Sequence, residues 1–119
     1  MSKGLVRVKM SGDRQAELYK LYDGLWGCYE PDNAHELLLY GHISELRDIL
    51  ERMADREQAK YTLTFTALQA LAFVQLWEPK PYALTPLRAL IIQSIFNELD
   101  KKVNRGRFQN LQIRDNHFS

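Results

Sequence analysis

The residues of this chain that could do chemistry gather in one run, His35 to His42, "HELLLYGH", and in Cys28 just ahead of it. A zinc-protease helix carries two histidines four residues apart, so that both imidazoles reach the metal from one helix face. The glutamate after the first histidine then sits beside the bound water. His35-Glu36 opens that pattern, but Leu39 stands where the second ligand belongs, and His42 falls beyond Gly41. Cys28 with His35, His42 or His117 supplies the residue types of a thiol nucleophile and its base. Its neighbours Trp26, Gly27 and Tyr29 instead suit the small buried hydrophobe that a free cysteine most often is. Carboxylate pairs such as Glu45 with Asp48, or Glu98 with Asp100, lie in charged stretches and read as solvated. The glycines are too scattered to cradle a phosphate. The expectation is no catalytic residue, no metal ligand and no cofactor. A metal- or thiol-dependent enzyme using Cys28, His35 and His42 stands last among the functions considered, and both histidines read as ordinary surface or capping residues.

The elements that would carry these residues follow from spacing. Val6, Val8 and Met10 alternate with Arg7 and Lys9, the period of a half-buried strand. Ser11-Gly12-Asp13 then offers a helix cap. Leu18, Tyr19, Tyr22, Leu25, Trp26 and Tyr29 share one helical face, which Pro31 ends. Asp32 or Asn33 caps a short second helix through Tyr40, with Gly41 as its stop and His42 in the turn. Ser44 caps a third helix, whose stripe is Leu46, Ile49, Leu50 and Met53. Its charged face, with an Asp48–Arg52 pair, reads as solvated.

Tyr61 to Thr66 alternates like a strand, but the Ala- and Leu-rich run after it favours a helix from about Thr62–Thr66 to Trp77. That helix is apolar almost all round and should be central and buried. "EPKPYALTP" reads as a stiff connector, and Thr85-Pro86 starts a last helix. Its core stripe is Leu87, Leu90, Ile91, Ile95 and Leu99. Leu111-Gln112-Ile113 alternates again and is assigned to pair with Val6–Met10. The fold expected is mainly α, a compact bundle of about five helices, with a small two-stranded β pair formed by the N- and C-terminal segments.

Size and balance bound the class. The chain has 119 residues, 45% hydrophobic and 26% charged, with a formal charge of +1. That suits a single globular domain spanning 1–119, with no strong field to draw it to nucleic acid or membrane. A lone cysteine points to a reducing compartment. The N-terminal residues are too polar for a signal peptide, and the apolar run Ala67–Trp77 is about half a membrane span. The expectation is a soluble cytoplasmic protein.

"GHISELRDILERMAD" resembles the second half of an ankyrin repeat, in which a Gly-His turn precedes an amphipathic helix and a small-Ala-Asp turn follows. Gly41-His42, Leu46, Ile49-Leu50 and Ala54-Asp55 match, whereas Met53 occupies the usual glycine position. Neither Arg14–Tyr29 nor Leu87–Val103 carries the pattern, and a repeat stack needs at least about three units. We read a shared helix–turn–helix solution.

Function is then expected from surfaces. Six tyrosines and two tryptophans are residue types enriched at interfaces. They favour a non-catalytic protein-interaction or oligomerisation module binding another protein or itself. The alternative is an accessory nucleic-acid-binding protein. It would use the basic segment 101–114, with Lys101, Lys102, Arg105 and Arg107 on phosphates and Phe108 stacking a base.

Overall fold

The computed structural model describes residues 6–79 and 84–104. Two strands and four helices follow one another: β1 (Val6–Ser11), α1 (Gly12–Cys28), α2 (Ala34–Ala54), β2 (Lys60–Phe65), α3 (Ala67–Trp77) and α4 (Pro86–Asn104). Helix dominates, as composition and spacing require, and a two-stranded antiparallel sheet completes the fold.

β1 pairs with β2, in a register running from Val6 opposite Phe65 to Ser11 opposite Lys60. The segment expected to pair with β1, 108–114, lies outside the described residues. Where the helix was expected to begin, at about Thr62–Thr66, Thr62 to Phe65 belong to the partner strand and Thr66 caps the helix that follows. Pairing decides the matter. Val6, Val8 and Met10 form one buried row, and Tyr61, Leu63 and Phe65 form the other, so period two is satisfied on both strands at once. The helix then starts sharply. The Thr66 hydroxyl accepts from the Gln69 N–H at 3.1 Å, and the Gln69 side chain accepts from the Thr66 N–H at 2.9 Å, a reciprocal cap.

α2 is one helix where two were expected, so four helices replace about five. Asn33 caps it, its side-chain oxygen accepting from the Glu36 N–H at 2.9 Å, and it continues through Gly41 to Ala54. Glycine weakens a helix without breaking it. Here Leu39, Ile43, Leu46, Leu50 and Met53 run past Gly41 on one buried face, and that burial outweighs the local loss. The Gly-His turn that resembled an ankyrin repeat is therefore absent: both residues are helical.

The core joins every element into one cluster. Gln15 of α1 is buried within it and donates to the Leu50 carbonyl of α2 at 2.7 Å, which satisfies a polar group that would otherwise be costly. α4 turns Ile91, Ile92, Ile95 and Leu99 inward. Leu87 and Leu90, expected in that stripe, are exposed. Arg88 of α4 reaches Glu17 of α1 at 3.2 Å and holds that carboxyl below its usual range. The charged side of α2 is more organised than expected. Arg47 bonds Asp23 of α1 at 2.8 Å and its neighbour Asp48 at 3.2 Å, and its guanidinium lies 4.4 Å above the Trp26 ring. Among the described residues no helix is long and apolar enough to cross a membrane.

Candidate docking face between α2 and α3

His42, expected in a turn, is in the middle of α2 and buried. The Trp77 indole N–H donates to the Tyr22 hydroxyl oxygen at 3.0 Å, and that hydroxyl lies 2.9 Å from His42 Nε2. The hydroxyl oxygen has a second lone pair beside the one Trp77 uses, so which of Tyr22 and His42 donates follows the imidazole tautomer. Burial pushes the His42 pKa down from 6.5 to about 4, so the ring is neutral near pH 7. Burial likewise raises the Tyr22 phenol. His42 Nδ1 is buried without a hydrogen-bond partner. The rings of Tyr22 and Phe73 meet the imidazole edge-on, at 5.6 and 6.2 Å. This three-membered chain links α1, α2 and α3 through one hydroxyl. Its chemistry is that of a neutral, buried network, suited to fixing how three helices pack.

The outer side of His42 belongs to a groove of about 670 Å³ between α2 and α3. Leu38, Leu39, Leu68, Leu71 and Ala72 supply its apolar walls, with Glu45, Thr66 and Gln69 at its polar rim. Gln69 donates to Glu45 and so bridges the two helices. The lips stand open to solvent: Leu38 is 74% exposed, Leu68 76% and Leu71 45%. α3 contains no ionisable residue from Ala67 to Trp77. It was expected to be central and buried, yet the described residues cover only one side of it. Ala70, Phe73, Leu76 and Trp77 face the core, while Leu68 and Leu71 face outward. Apolarity all round a helix signals that both sides are to be covered. Here the chain's own core covers one.

A second hollow, of about 440 Å³, holds Cys28 and His35 among its lining residues. The structure thus places the thiol near the first histidine and His42 in the core beyond. No hydrogen bond joins Cys28 to His35. The carboxylate closest in sequence, Glu36, accepts from the Asp32 N–H at 2.8 Å as part of the α2 cap. Cys28, expected to be buried, is exposed. Among the described residues no group of three or more His, Cys, Asp or Glu side chains is placed to hold a metal ion. Of the basic segment, Lys101 is exposed and lies 3.5 Å from Glu98. Lys102 lies within α4, and Arg105, Arg107 and Phe108 lie outside the described residues. Leu38, Leu68 and Leu71 are the site residues that sequence reasoning missed. Their signal was the absence of charge along Ala67–Trp77, which fits an uncovered interface as well as it fits a core.

Models of protein families, curated proteins and solved structures were compared with the chain, and none matches it.

Proposed function

We propose that the chain is a non-catalytic protein-interaction module, soluble and cytoplasmic, that docks through the groove between α2 and α3. One observation carries this reading: an uncharged helix, α3, leaves Leu68 and Leu71 open to water on the groove that Leu38 of α2 also lines. Scattered exposed leucines are ordinary, but leucines gathered at the lips of one groove form a continuous apolar face, and such faces mark binding sites. Polar Glu45, Thr66 and Gln69 line the groove together with its leucines, the mixture of apolar area and hydrogen-bonding groups that protein interfaces use. An exposed free thiol at Cys28 supports a reducing compartment.

A photo-crosslinking residue placed at Leu68 tests the reading in living cells. It should give a covalent adduct of one defined mass. The same residue at Thr62, on the outward side of the sheet, should give none. An empty result at Leu68 removes the proposal.

A further inference from the structure

We propose that the outer face of the β1–β2 ribbon binds duplex DNA, presenting its side chains to the major groove. This face shares no residue with the groove between α2 and α3.

The strand register sorts the ribbon into two sides. One side is the buried row already described. The other is exposed, with Arg7 opposite Thr64, Lys9 opposite Thr62 and Ser11 opposite Lys60. Each opposed pair therefore shows one cation and one hydroxyl. No carboxylate interrupts them, since the sequence has no Asp or Glu from residue 1 to 12 or from 58 to 77. The acids next in sequence, Asp13 and Glu57, belong to α1 and to the connection before β2, past the Ser11–Lys60 end of the ribbon. Among the described residues no ion pair engages the Lys9 or Lys60 ammonium. A chain with a formal charge of only +1 thus sets one sign of charge on this face.

Phosphates complement such a face: cations neutralise them and hydroxyls hydrogen-bond their oxygens. The composition of the face also selects among polyanions. It has no aromatic side chain on which an unpaired base could stack, as single strands require. It has no apolar side chain to enter a bilayer or to anchor the centre of a protein interface. A double helix needs neither. Its form follows from width. Two strands stand about 4.8 Å apart, and no third strand flanks them among the described residues. A ribbon that narrow fits the B-DNA major groove, about 12 Å wide, whereas side chains cannot read the deep, narrow major groove of double-stranded RNA. Lys9 stands on one strand and Lys60 on the other, so the two ammonium groups reach phosphates on opposite walls of the groove. Arg7, Thr62 and Thr64 then meet base edges, where arginine suits guanine and threonine suits the thymine methyl.

Fluorescence anisotropy of a labelled mixed-sequence DNA duplex, titrated with the full chain at two salt concentrations a factor of four apart, tests this. Circular dichroism checks that each variant stays folded. The duplex should bind, and more tightly than single-stranded DNA, double-stranded RNA or phosphatidylserine vesicles. Two neutralised phosphates give a log–log slope of about −1.8, so the fourfold rise in salt should weaken wild-type binding by at least about 12-fold. Lys9→Gln combined with Lys60→Gln should remove that factor of about 12, and Lys101→Gln on α4 should leave it in place. A duplex that does not bind at low salt overturns the proposal. So does binding indifferent to the two lysine changes, a salt dependence lost with Lys101→Gln instead, or a preference for any of the three competitors. DNA crosslinked from Thr62 would run as a nuclease-sensitive smear, distinct from the adduct of one mass expected at Leu68, so the two surfaces stand or fall separately.

Discussion

Tyr22 has one hydroxyl and two partners, Trp77 and His42. Tyr22→Phe keeps the ring and removes both bonds, and should cost about 1–3 kcal/mol in urea unfolding, because buried polar atoms lose their match. His42 gives the fold an acid limit. Its pKa is 6.5 when free and about 4 when folded. Above pH 6.5 the ring is neutral in both states, and its contribution is constant. As pH falls from 6.5 toward 4, the unfolded chain takes up a proton that the folded chain refuses, so stability falls, by about 3 kcal/mol in all. Urea midpoints at pH 7.5 and pH 4.5 should therefore lie further apart for the wild type than for His42→Gln. Equal separations would show that His42 is not the group refusing the proton. None of this was legible from the residue alone, since Gly41 before it reads as a stop. It was legible from the run around it: Leu39, Ile43, Leu46, Leu50 and Met53 keep a helical period straight through Gly41, and that period places residue 42 beside the buried face.

At the level of the element, α2 and the boundary between β2 and α3 show how local signals and tertiary pairing divide the work. The caps at Ser11 and Thr85 were readable, as polar side chains ahead of apolar helices; the Thr66–Gln69 pair emerged only with the structure, and Thr66→Ala should cost about 0.5–2 kcal/mol in thermal or chemical unfolding. The state of Tyr61–Phe65 was not settled by composition, because Leu and Phe serve either structure and only Val6, Val8 and Met10 across the sheet make the strand. Gly41→Ala should stabilise the isolated fold by about 1 kcal/mol, since the added methyl meets open space and the helix loses a flexible residue. A loss of stability would mean that the space over Gly41 is used within the chain.

For the whole molecule, helix content was legible from period and composition, whereas the outside of α3 was not. A charge-free helix satisfies the pattern of a core helix, and only three-dimensional packing reveals which side goes uncovered. The sheet, finally, sets a timetable. β1 cannot pair until β2 exists, and residues 12–59 lie between them. At about 5–20 residues per second, the interval of about 50 residues leaves β1 unpaired for roughly 3–10 s of synthesis. Through that wait its Val6, Val8 and Met10 are an aggregation hazard, and Arg7 and Lys9, set between them, are the charges that keep one nascent chain from pairing with the next.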